Sequence, residues 1–221
     1  MQPKIILTKD GSKTLHFPEW NESYHSTHGA ITEALHVYIK NGLEHRILNM
    51  PMQNISVLEM GFGTGLNAYL TYKYGQNREL KITYTSIEKY PIDPSIISSL
   101  NYVDEGDEDL FNLMHTCPWE EFSAITTQFK LKKHLVDIDV FRTDDKFDVV
   151  FYDAFGPRVQ PNLWSTAILQ HMYDHLNYHG VWVTYCCKGS VRRDLIDIGF
   201  KVEKIPGPPG KREMLRATKL P

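Results

Sequence analysis

Three glycines at every second position, Gly61, Gly63 and Gly65, follow the apolar run ISVLEM, with Glu59 just before them and Glu88 further on in SIEK. Glycines that leave a strand and open a helix let the backbone approach a ligand at the carboxyl edge of a parallel sheet. A dinucleotide fingerprint, G-x-G-x-x-G, needs its third glycine at 66, and this chain has Leu66. A pyrophosphate also prefers a positive helix start, whereas Glu59 is an acid. An acid suits a ligand with a cationic end. S-adenosylmethionine has a sulfonium, an α-ammonium, and two ribose hydroxyls that Glu88, at the end of the next strand, can accept. Thr64 and Asn67 at the loop's entry into the helix, and Lys89 beside Glu88, complete this part of the expected cofactor site. In VDID, Asp137 or Asp139 is available for the adenine amino group, and Asp137 falls closer to the strand end.

The second constellation is FYDAFGPRVQPNLW at 151–164. Strand-end loops carry chemistry in this architecture, so Asp153 is expected to face the transferable methyl group as the catalytic residue. Phe155 and Pro157 would make a stiff apolar wall able to stack a flat base. A turn-capping role is the plainer alternative for Asp153. The ten histidines include His25 and His28, which have no carboxylate or cysteine company, so polar contacts near the cofactor or substrate are expected and no metal. Cys117, Cys186 and Cys187 lack C-x-x-C spacing and read as reduced, buried thiols.

To position these residues the chain must alternate strands with helices. From Pro51 the pattern reads strand 55–60, helix 64–75, strand 82–88, helical segments within 93–128, strand 129–136, strand 147–153, helix 164–178, strand 180–186, helix 189–198 and strand 200–205. This predicts an α/β fold with a mostly parallel sheet covered on both faces. EMLRATK (213–219) follows across PGPPGK with no helix between, too short a link for a parallel crossover, so the last strand should pair antiparallel. Upstream, KIILTKDGSKTLHF reads as a hairpin about Asp10-Gly11, and SYHSTHGAITEALHVYIKNG as a helix with Gly42 as its stop. We expect one domain over 1–221: an N-terminal hairpin and helix extension over 1–50, then a Rossmann-like core over 51–221.

The net charge of −3 conceals an asymmetry. From Cys186 onward nine Lys/Arg face four Asp/Glu, a balance of +5, against −8 for the first 185 residues. A basic end on an acidic body is either a solvated face or a footprint for a polyanion. Lys188, Arg192 and Arg193 open a helix at the sheet's carboxyl edge, and Lys211 and Arg212 follow a proline-stiffened turn, all expected on the rim of the site. With no charged-then-apolar leader and no apolar run of membrane-spanning length, a cytoplasmic location and no membrane partner are expected. Oligomeric state is not legible.

SYHSTHGAITEALHVYI, EMGFGTGLNA, FYDAFGPRVQPNLW, TYCCKGSVRRDL and PGPPGKREMLRA together resemble the stand-alone (MnmD-like) methyltransferases of bacterial tRNA wobble-uridine modification, related to the N-terminal half of bifunctional MnmC. The likeness runs from about residue 8 to 218. It implies a class I methyltransferase fold and S-adenosyl-L-methionine-dependent conversion of 5-aminomethyl-(2-thio)uridine at tRNA position 34 to its methylaminomethyl form. It implies cofactor binding by Glu59, Gly61, Gly63, Gly65 and Glu88, Asp153 at the catalytic centre, and closure over the cofactor by the segment around Tyr24. With no oxidase half, the chain should act on an aminomethyl group made elsewhere. The VDID stretch lacks the glycine-aspartate pair of the pattern. Rival readings are a methyl- or aminopropyltransferase for a free small amine, which has no use for the basic end, and a tRNA-binding protein with an inert nucleotide fold.

Overall fold

The run FDVVFY is buried at all six positions, as a strand covered on both faces must be. In the computed structural model, which describes residues 3–221, it forms the strand between two parallel neighbours at the middle of the main sheet.

In chain order, β1 (Lys4–Leu7), β2 (Lys13–Phe17) and β3 (Glu22–Ser23) make a small antiparallel sheet. A helical rod follows, made of α1 (Ala30–Ala34), a π-helical stretch (Leu35–Glu44) and α2 (His45–Asn49). Then come β4 (Asn54–Met60), α3 (Leu66–Gln76), β5 (Lys81–Glu88), α4 (Pro94–Ile97), α5 (Glu108–Thr116), β6 (Ser123–Ala124) and β7 (Phe129–Leu135). The rest is β8 (Phe147–Tyr152), a 3-10 turn (Pro161–Trp164), α6 (Thr166–Asp174), β9 (Leu176–Thr184), α7 (Gly189–Ile198), β10 (Phe200–Pro206) and β11 (Glu213–Lys219).

The main sheet runs β10-β11-β9-β8-β4-β5-β7-β6, with β9, β8, β4, β5 and β7 parallel. β11 enters antiparallel between β10 and β9, as the short PGPPGK link requires. One face is covered by the helical rod, α3 and α5 around Tyr38, Val57, Tyr69, Tyr84 and Phe151; the other by α6 and α7 around Val150, Leu169, Trp182 and Leu195. This is the expected α/β class with a mostly parallel sheet, an antiparallel last strand and a small N-terminal sheet.

Three elements differ from the sequence reading. The helix does not stop at Gly42 but continues to Asn49. A Cβ on Gly42 would lie 2.8 Å from Val183 Cγ1 and 3.2 Å from Phe151 Cε1, so this glycine brings the rod down onto β8 and β9 rather than ending it. Residues 117–128 are not helical, because Pro118 ends α5, after which β6 pairs with β7. The helix over 164–178 is shorter, since α6 closes at Asp174 and β9 starts at Leu176. Cys187 is exposed, while Cys117 and Cys186 are buried; all three are free. Among the described residues, no helix is long and apolar enough to cross a membrane, and no cluster of three His, Cys, Asp or Glu could hold a metal.

Candidate active site

A cavity of about 660 Å³ opens at the carboxyl ends of β4, β5 and β8. The glycine loop forms one wall. Gly61 has φ 89° and Gly63 φ 49°, conformations that strain an L side chain. At Gly63 the missing side chain makes room for Tyr24, whose Cε1 would lie 2.9 Å from a Cβ there. Gly65 (φ 73°) faces the other way: a Cβ would come within 2.7 Å of His115 Nε2, so this glycine admits α5 against the loop and does not line the cavity.

Glu88 ends β5, and its carboxylate accepts the Gly63 N–H at 3.0 Å and the Tyr90 N–H at 2.7 Å. Burial raises its pKa from the usual carboxylate range, against the pull of these hydrogen bonds. Lys89 is ion-paired with Asp137 at the cavity's rim, which holds the Asp137 carboxyl below its usual range. Asp139 lines the same stretch of wall.

Asp153 stands just past the end of β8. Tyr38 donates to its Oδ1 at 2.5 Å and Asn67 Nδ2 to its Oδ2 at 2.8 Å. Burial lifts this carboxyl to about 6, in spite of both donors. Buried Glu33 sits in the same part of the cavity, accepting from Ser26 N–H at 2.7 Å and from Lys211 Nζ at 2.6 Å. Lys211 also lies 3.8 Å over the Tyr185 ring, and the Tyr185 hydroxyl donates to Ala154 O at 3.0 Å. Two carboxylates thus converge where β8, β9 and α1 meet, an arrangement suited to a cationic or amine-bearing group.

The facing wall comes from the N-terminal sheet. Phe17, Trp20 and Tyr24 surround Phe155, whose ring centroid is 5.2 Å from that of Tyr24. Arg158 fastens the Asp153 loop to this layer through Glu22 Oε1 at 2.6 Å and Trp20 O at 3.0 Å. Such edge-to-face packing leaves a rigid apolar ledge beside the two carboxylates.

The fold therefore gathers Tyr24, Gly61, Gly63, Thr64, Asn67, Glu88, Lys89, Asp137, Asp153, Phe155 and Lys211 around one cavity. Several other residues singled out in the sequence lie elsewhere. Glu59 is 1 % exposed beneath the cavity floor, bound by Ser86 Oγ at 2.8 Å, and burial pushes its pKa well above the usual range. Pro157 is outside the lining, and Lys188, Arg192, Arg193 and Arg212 lie on or near the surface with no ion pair among the described residues. Lys211, expected on the basic rim, points inward to Glu33. Sequence reasoning missed Tyr38, Glu33 and Tyr185. Tyr38 sits in an apolar stripe at helical spacing and reads as core; its hydroxyl acquires a role only because β8 ends beneath it.

The family profile described as S-adenosyl-L-methionine-dependent methyltransferase matches residues 109–220. The bifunctional tRNA 5-methylaminomethyl-2-thiouridine biosynthesis protein MnmC of Leptospira interrogans is 31% identical over 95% of this chain, and that of a Marinomonas species 27% over 96%. The chain spans about a third of the length of these relatives, 34% and 33%. The crystal structure of MnmC2 from Aquifex aeolicus superimposes with a TM-score of 0.80 at 30% identity, covering 99% of this chain and 71% of that one.

Proposed function

The chain belongs to the S-adenosyl-L-methionine-dependent methyltransferase family, and we propose that within it the chain N-methylates the 5-aminomethyl group of (2-thio)uridine at the tRNA wobble position. The observation that carries this reading is Asp153, held by Tyr38 and Asn67 in a cavity it shares with Glu33: an acceptor site built from carboxylates selects an amine. The names of the MnmC relatives support the tRNA nucleoside as its bearer.

The cavity suits the methyl donor. Thr64 Oγ1 and Asn67 Oδ1 are buried, line the cavity, and have no protein partner, which a polar ligand would remedy. Gly61 presents no side chain to the cavity, Gly63 admits Tyr24 over the loop, and Glu88 is already fixed by two amides for the ribose hydroxyls. Tyr24 would close over the donor, and Lys89 with Asp137 would border the adenine. Bound there, S-adenosyl-L-methionine supplies an electrophilic methyl carbon whose bonding electrons stay on the departing sulfur.

The chain's own residues must prepare the amine. An alkylamine near the lysine reference value of about 10.4 is protonated at neutral pH and has no lone pair to offer. Asp153 would accept its N–H and aim the nitrogen, while Tyr38 and Asn67 keep the carboxylate from rotating away. Phe155 and the aromatic ledge would stack the splayed wobble base, and Arg192, Arg193 and Arg212 would meet phosphates. The test is mass spectrometry of nucleosides from tRNA rich in 5-aminomethyl-(2-thio)uridine after incubation with the protein and labelled cofactor. Label in the methylaminomethyl nucleoside is expected; label only in free small amines would overturn the reading.

A further inference from the structure

We infer that Lys211 sets the protonation state of the substrate amine: its ammonium, fixed on Glu33 inside the cavity, is the charge that makes an incoming alkylammonium release a proton to Asp153. The inference rests on the amine-methylating reading above.

Lys211 reaches the cavity from the turn joining β10 to β11. That turn is anchored, with Pro206 O 2.9 Å from His36 Nε2 and a Cβ on Gly210 placed 2.2 Å from His28 Cδ2. The side chain is thus delivered inward on a stiff support, to Glu33 Oε1 at 2.6 Å and over the Tyr185 ring at 3.8 Å. A lysine meant for phosphate has no use for a buried carboxylate and an aromatic face.

The groups around it leave a definite charge. Glu33 comes from α1, Asp153 from the end of β8, Tyr38 from the π-helical stretch, Tyr185 and Cys186 from the end of β9, and His25 from the segment before α1. Burial brings His25 down to about 4 and holds Tyr38 and Tyr185 well above the usual phenol value, so all three are neutral. Cys186 is likewise raised and neutral. Two carboxylates and one ammonium remain. Without Lys211 the pair of carboxylates would hold the substrate as an ammonium; beside a fixed cation the charged amine is disfavoured. In the step itself an N–H bond of the substrate breaks, its electron pair stays on nitrogen as the lone pair, and the proton passes to the Asp153 carboxylate.

Lys211→Gln and Lys211→Arg test this through single-turnover rates against pH on aminomethyl-bearing tRNA, with cofactor and tRNA affinities measured separately by calorimetry. In Lys211→Gln both affinities should stay within about threefold, while the pH–rate profile moves up by about 1 to 2 pH units, the usual effect of one nearby charge. With the parent's acid limb near 6, the rate at pH 7 then falls about 2- to 10-fold and recovers in alkaline buffer. Lys211→Arg should keep the parent profile. An unshifted profile with weaker tRNA binding would make Lys211 a phosphate contact, and equal losses at every pH in both variants would make it a packing residue; either overturns the inference. A parent protein inactive on aminomethyl-bearing tRNA overturns the amine reading itself, whereas an active parent with an unshifted Lys211→Gln profile overturns only the role of Lys211.

Discussion

The Tyr38 hydroxyl, on the π-helical stretch, donates to Asp153 Oδ1 at 2.5 Å across 115 positions of chain. This bond pulls down the pKa of a carboxyl that burial nonetheless raises to about 6. If the carboxylate form of Asp153 is the active one, methyl transfer falls as pH drops through about 6. Tyr38→Phe removes a bond that favours the charged form, so the acid limb of the pH–rate profile should move upward, by about one unit for one lost hydrogen bond to a charged group. A limb at the parent position would detach Tyr38 from the chemistry.

Asp153→Asn keeps the size and the Tyr38 contact but removes the proton acceptor. Methyl transfer should drop about 10²- to 10⁴-fold, the usual contribution of a positioned acid or base, with cofactor affinity little changed. Single-turnover assays at saturating tRNA and cofactor distinguish this from a turn-capping role, in which the variant is less stable but nearly as fast per folded molecule.

Glu88→Ala strips the glycine loop of the carboxylate that Gly63 and Tyr90 donate to. Each lost hydrogen bond to a charged group costs about 1.5–3 kcal/mol, so calorimetry should register at least a tenfold weaker hold on S-adenosyl-L-methionine. An unchanged dissociation constant in a folded variant would remove Glu88 from the cofactor site.

Gly42→Ala puts a methyl group 2.8 Å from Val183 Cγ1, on a rod that cannot lift without losing its contact with β8 and β9. Overpacking of this kind costs about 1–3 kcal/mol. Thermal denaturation should register a midpoint lowered by about 2–4 °C for each kcal/mol in a chain of this length. A midpoint equal to the parent's would return Gly42 to the role of an ordinary helix residue.

Arg192→Ala with Arg193→Ala, and separately Arg212→Ala, should weaken tRNA binding and flatten its salt dependence by about 0.7–0.9 in log K against log salt per lost phosphate contact. Cofactor affinity should hold. Parallel salt slopes for variants and parent would identify these arginines as a solvated face.

The strand-helix rhythm, the parallel sheet, the antiparallel last strand and the glycine loop were legible in the sequence because each is a local matter of hydrophobic period, turn residues and link length. Glu88 and Asp153 were legible too, since the carboxyl ends of parallel strands converge by topology, whatever the side chains between them. What the chain order concealed is which side chains meet there. Tyr38 looked like packing, the N-terminal hairpin like an extension outside the core, and Lys211 like part of a basic rim. The descent of the rod onto β8 and β9 at Gly42 places Tyr38 on Asp153, the docking of the β10–β11 turn against His28 places Lys211 on Glu33, and the hairpin layer fastened by Arg158 to the Asp153 loop places Tyr24 on Gly63. Each of these meetings depends on close approach between elements far apart in sequence, and close approach is set by the volumes that fill the core, which no local pattern encodes.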